Sequence, residues 1–162
     1  MFSSHHTPRW FSSGAFLLLG LILGTPAIAQ TKCPSQLPDL AARLTQDLPD
    51  YLNRTYSRHR LHRQAIVASF AELQPLPISR LSDTADLVEQ IFVTVRSSVP
   101  GQVQTSDTAY WLFVVQTKYG WRLVMAWQRV GKTMPQDVSN GAIAHAVTTW
   151  LQDQCPRIIN RN

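Results

Sequence analysis

Cysteine, strong charge and catalytic motifs are all scarce in this chain, and each shortage removes a class of function. Only two cysteines, Cys33 and Cys155, occur in 162 residues. They form no C-x-x-C pair, so neither a redox dithiol nor a cysteine-rich metal site can be built from them. There is no phosphate-binding G-x-x-x-x-G-K loop, no G-x-S-x-G elbow, no H-E-x-x-H and no dinucleotide fingerprint. Charged residues make up 15% of the chain, and the formal net charge is only +5. Such an excess attracts anionic partners weakly and does not point to nucleic acid. Long apolar runs are missing too. The best, Gly14–Gly24, is too short to cross a bilayer comfortably.

What is present begins with that run. Arg9, the apolar GAFLLLGLILG and the small residues Ala27-Ile28-Ala29 read as a secretory signal over 1–29, cleaved near Ala29–Gln30. The competing reading is an uncleaved anchor. Residues 30–156 form one expected domain and 157–162 a frayed tail. The expected setting is periplasmic, lumenal or extracellular. There the two cysteines pair as Cys33–Cys155, the alternative being two free thiols. Closing so long a loop restricts the unfolded chain by roughly 5 kcal/mol in the chain-entropy picture.

Periodicity supplies the elements. Leu37, Leu40, Leu44, Leu48, Tyr51 and Leu52 recur at three- and four-residue spacing and predict a helix from Gln36 to about Arg58, kinked or divided at Pro49. Ala65–Leu73 and Leu87–Ser97 read as strands. In the second, Ile91, Val93 and Val95 alternate with Phe92, Thr94 and Arg96. Leu81–Asp86 reads as a loop or one helical turn. A closing helix from Asn140 to Gln154, capped by Ser139 or Asn140, carries Ile143, Ala146, Val147, Trp150 and Leu151 on one face.

The most informative stretch is Tyr110–Arg129. Two β-rich runs flank Thr117-Lys118-Tyr119-Gly120. A three-residue loop closing on Gly120 pairs Trp111 with Trp127, Phe113 with Met125, Val115 with Leu123 and Thr117 with Trp121. That register gathers the aromatic residues on one face, expected to be the core beneath both helices. The expected fold is therefore α+β. A four-stranded antiparallel meander carries N- and C-terminal helices on one face, in the order α-β-β-β-β-α, with the disulfide joining the ends.

The segments DLPDYLNRTYSR (47–58), AELQPLP (71–77), VEQIFVTVRSS (88–98) and AYWLFVVQTKYGWRLVMAWQRVG (109–131) together resemble uncharacterised exported proteins of cyanobacteria. The W-L-F…G-W-R-L-V-M core is the most specific part. The resemblance implies a bacterial envelope or lumenal setting. It carries no activity, cofactor or catalytic residue.

Function is thus argued from surfaces. The reverse face of the hairpin, with Leu112, Val114, Arg122, Val124 and Ala126, is the first candidate, a non-enzymatic binding patch for a protein partner or a second copy. The second is electrostatic, with Arg54, Arg58, Arg60 and Arg63 holding an anionic lipid or polysaccharide, against a plain solvated helix end. A small hydrolase is the least favoured reading. Catalytic, metal and cofactor-binding residues are expected to be absent, because His59 and His62 sit among arginines that repel cations and His145 lies off the apolar face. Asp47/Asp50 and Asp83/Asp86 read as capping or solvated charges. Asn53-Arg54-Thr55 matches a glycosylation acceptor only in form.

Overall fold

The computed structural model describes residues 33–76 and 88–155. The expected signal at 1–29, the turn at Leu81–Asp86 with its Asp83/Asp86 pair, and the tail at 157–162 lie outside the described residues.

The first element is helix α1, Leu37–Arg58. It opens with proline in its first turn, where the missing N–H has no intrahelical acceptor to lose, and Asp39 complements the positive end of the helix dipole. Pro49 lies inside it without dividing it: the helix is one continuous element of 22 residues. The heptad-like stripe does what its spacing dictates, and Leu40, Leu44, Leu48 and Leu52 are fully buried.

The strands are β1 (Gln64–Phe70), β2 (Val88–Ser98), β3 (Thr105–Thr117), β4 (Gly120–Val130) and β5 (Gln136–Asp137). They form one antiparallel sheet in the order β1-β2-β3-β4-β5. The meander is therefore as expected but has a fifth strand. β5 is only two residues long and follows Pro135, so no periodicity announces it. It is held by the Val138 N–H, which donates to the Ala126 carbonyl at 2.8 Å, and by Ser139, which the Asp137 carboxylate accepts from at 2.6 Å. The bonds from the Ser139 hydroxyl and from the Ser139 N–H hold the Asp137 carboxyl below its usual range.

Helix α2, Ala142–Gln154, completes the chain. Gly141 occupies its N-cap with no side-chain cap bond, so Ser139, expected there, serves the β5 turn instead. Both helices lie on one sheet face: α1 packs on β1 and β2, α2 on β4, and each on the other. Two polar contacts fasten the helices together. The Trp150 indole N–H donates to Asp47 at 2.8 Å, and the Tyr51 hydroxyl donates to Asp153 at 3.0 Å. Cys33 and Cys155 are disulfide-bonded with their Cα atoms 4.7 Å apart, tying the start of the described domain to the end of α2. Such a bond belongs to an oxidising, non-cytosolic compartment. No helix among the described residues is long and apolar enough to cross a membrane.

The hairpin register corrects the expectation in one decisive respect. Trp111 faces Trp127 and Phe113 faces Met125, as the aromatic pattern suggests. The loop, however, has two residues, with Thr117 opposite Gly120. A bulge between Phe113 and Val114 absorbs the difference, so Val114 faces Leu123 and Gln116 faces Trp121. The side chains of Trp121 and Leu123 therefore leave the aromatic row and join Leu112 and Val114.

That second face is the core. Ile91, Val93, Val95, Tyr110, Leu112, Val114, Trp121 and Ala126 belong to one buried cluster with the leucines of α1 and with Ala146, Val147 and Trp150 of α2. The inverted choice has a packing reason. Aliphatic β2 and β3 residues with Ala126 make up most of this surface, on which two helices can settle closely, and Tyr110 and Trp121 are buried among them. The aromatic row of Trp111, Phe113, Met125 and Trp127 lies on the helix-free side.

Candidate functional site

The correction relocates the candidate sites. Leu112, Val114 and Ala126 are each 0% exposed, so these three lie under the helices and offer nothing to a partner. Val124 and Arg122 are exposed, Val124 because it is the bulged residue. The binding patch expected on that face does not exist as a continuous surface.

The helix-free face is partly roofed by the chain that follows β1. The Trp111 indole N–H donates to the Gln74 carbonyl at 3.0 Å. Gln90 clamps Leu76 by two bonds, accepting from its N–H at 3.1 Å and donating to its carbonyl at 3.0 Å. β1 ends at Phe70, short of the expected Leu73, and Pro75 in the segment beyond it has no N–H to offer a ladder. β3 is consequently buried on both sides over Tyr110–Val114, Trp111 and Phe113 included.

Beside this roof the face stays open as a groove of about 420 Å³, bounded by Phe70, Ala71, Glu72 and Leu73 on one side and by Thr94, Asp107, Ala109, Arg129 and Gly131 on the other. Register explains the composition of its floor: Thr94 faces Ala109, which faces Arg129 across three neighbouring strands. A small alanine between two larger residues leaves the hollow. The Arg129 guanidinium lies over the Trp111 ring, 5.3 Å from its centroid, and its Nε–H is buried with no hydrogen-bond partner among the described residues. Asp107 is not free to neutralise it. Arg96 donates to both Asp107 oxygens at 2.8 Å, and that bidentate bond holds the carboxyl below its usual range. The exposed Glu72 is the other acid at the rim.

The basic segment is split by the fold. Arg54 is on α1 with its guanidinium 3.8 Å from the Tyr51 ring centroid, and Arg58 closes the helix. Arg60 follows in a left-handed conformation with φ 55°, and Arg63 leads into β1. Arg63 borders a smaller cleft of about 150 Å³ lined by Ser97, Ser98, Thr105, Ser106, Gln102 and Gln104. Two buried tyrosines, Tyr56 of α1 and Tyr110 of β3, lie within reach of the Arg63 charge. Burial pushes Tyr110 up to about 12, its neighbour Tyr56 adding to the shift while Arg63 and Thr108 oppose it. Tyr56 is raised as well, again by burial, with Arg63 beside it pulling the other way.

His59 and His62 are three apart in sequence. His59 meets His145 of α2, with ring centroids 5.5 Å apart. Among the described residues no cluster of three His, Cys, Asp or Glu side chains is close enough to hold a metal. Asp47 is the acceptor for Trp150 rather than half of an acid–base pair. Asn53 donates to and accepts from the Ala65 backbone at 2.9 and 2.7 Å, so its amide is engaged inside a helix and not displayed as a glycosylation acceptor.

Sequence reasoning passed over Arg129 and Glu72. A signal for Arg129 was there. Continuing the Trp111–Trp127 pairing by two residues sets Ala109 against Arg129, in the row already holding Phe113 and Met125. No signal in the sequence brings Glu72 to that row, because a turn after β1 places it. Comparison of the chain with protein-family models, with curated proteins and with solved structures finds no match in any of the three.

Proposed function

We propose that this protein is an exported, non-enzymatic binding module of a bacterial envelope, and that its ligand occupies the groove on the helix-free face. The observation that carries this reading is Arg129. A cation stacked on a tryptophan, on the floor of an open hollow, is pre-organised to receive an anion because the sheet holds it in place. Its buried Nε–H has lost water without gaining a protein acceptor, a state that costs free energy and that a ligand oxygen relieves after a small rotation of the side chain. Leu73 supplies apolar surface at the rim and Glu72 an acceptor. The ligand class is therefore a small molecule with a carboxylate or phosphate for Arg129, an apolar part, and a hydrogen-bond donor for Glu72.

The test is thermal shift and tryptophan fluorescence on the protein recovered from the periplasm of an expression host, titrated with small-molecule extracts of bacterial envelopes and with simple hydroxy and amino acids. Trp111 beneath the guanidinium reports occupancy. Stabilisation in the parent and its loss in Arg129→Gln supports the assignment. An equal shift in both proteins rules out the groove.

A second reading is favoured by the cleft at Arg63. A guanidinium beside a row of serine, threonine and glutamine side chains suits an anionic polysaccharide, with Arg58 and Arg60 adding longer-range attraction. Salt-sensitive retention on an anionic glycan column, lost when Arg58, Arg60 and Arg63 are replaced together, is its signature.

A further inference from the structure

We propose that β1 is a docking edge for a second copy of this chain, pairing antiparallel with its own counterpart to extend the sheet across a twofold axis. The two edges of the sheet are built differently. The β4 side is closed by β5, a strand of two residues ending in an aspartate turn, which is how proteins blunt an edge. Among the described residues β1 has no such cover. Its sequence QAIVASF contains no charge and no proline, and Ile66, Val67 and Phe70 are 50%, 47% and 61% exposed. Apolar, β-branched residues on an uncovered edge are the composition that recruits another strand.

The ladder shows which backbone groups are on offer. The Ala71 N–H donates inward to the Phe92 carbonyl at 3.1 Å. Alternation then turns Val67 and Ser69 inward and leaves the amides of Ala68 and Phe70 facing away from β2. Asn53 occupies the outward groups of Ala65. For Ala68 and Phe70, no hydrogen bond beyond the β1–β2 ladder occurs among the described residues.

Charge selects the occupant. Arg63 stands just before this strand and Glu72 just after it, both exposed. Antiparallel self-pairing at Ala68 and Phe70 brings the Arg63 end of each copy toward the Glu72 end of the other, so the strand is complementary to itself. A twofold axis perpendicular to the sheet keeps both pairs of helices on one side. Both grooves then open on the other.

Sedimentation of the oxidised protein over a concentration series tests this independently of any ligand. The parent is expected to move from monomer to dimer with rising concentration. Phe70→Lys and Ala68→Pro are expected to weaken association by about tenfold or more, circular dichroism confirming that the fold is kept. Arg63→Glu alone is expected to weaken it, and Arg63→Glu with Glu72→Arg to restore it, because the swap returns opposite charges to the neighbouring ends of the two strands. A parent that stays monomeric to about 200 µM overturns the proposal. So does a dimer indifferent to Phe70→Lys, or one that the double charge swap fails to rescue.

Discussion

At the scale of single residues, the hairpin shows how one bulge decides what a side chain does. Val114 and Val124 look equivalent in sequence, two valines in opposing β-runs. The first is 0% exposed beneath the helices and the second 51% exposed at the bulge. Val114→Asp buries a carboxylate with no counter-charge in the core and is expected to cost at least about 4 kcal/mol, enough to unfold a domain of ordinary stability. Val124→Asp is expected to shift stability by no more than about 0.5 kcal/mol. Urea unfolding of the two variants checks the contrast directly, and similar losses in both would refute the register. The burial of the leucine stripe on α1 was legible, because a helix has one period and one possible buried face. The burial of Val114 was not. A strand offers two faces, and periodicity says which residues travel together without saying which set turns inward.

At the scale of elements, long periodic segments were readable and short non-local ones were not. α1, β2, β3, β4 and α2 follow from patterns carried within each segment. β5 and the roof over Trp111 exist through contacts with distant chain, Val138 with Ala126 and Gln90 with Leu76. The join between α1 and β1 is of the same kind. Asn53 takes both the N–H and the carbonyl of Ala65, anchoring the first strand to the helix before the strand meets its neighbour. Asn53→Ala strips both bonds from a part-buried backbone and is expected to cost about 1–3 kcal/mol. Hydrogen exchange at the Ala65 amide reads it: protection there should fall by more than protection in β3. Uniform loss across the sheet would instead mean that Asn53 acts only through global stability.

At the scale of the whole molecule, the disulfide and the two-layer packing act together. Cys33 and Cys155 are 122 residues apart, so their bond restricts the unfolded chain strongly, by up to about 5 kcal/mol in the chain-entropy model. Cys33→Ser with Cys155→Ser is expected to lower the melting temperature by at least about 10 °C while leaving the sheet intact. Calorimetry of the variant against the oxidised parent checks this, and an unchanged transition would show that the reduced, unfolded chain is already compact. The amino-acid sequence by itself determined the α+β class, the antiparallel order, both helices with their buried stripes and the pairing of the only two cysteines. Each of these follows from local periodicity or from a choice with one outcome. Only the tertiary structure decided which face of the sheet the helices cover, and with it that Leu112, Val114 and Ala126 are core while Arg129, lying over Trp111, lines an open groove. That choice rests on a one-residue bulge and on how closely two helices fit against the side chains of that face. Both are properties of packed side chains that no single strand encodes.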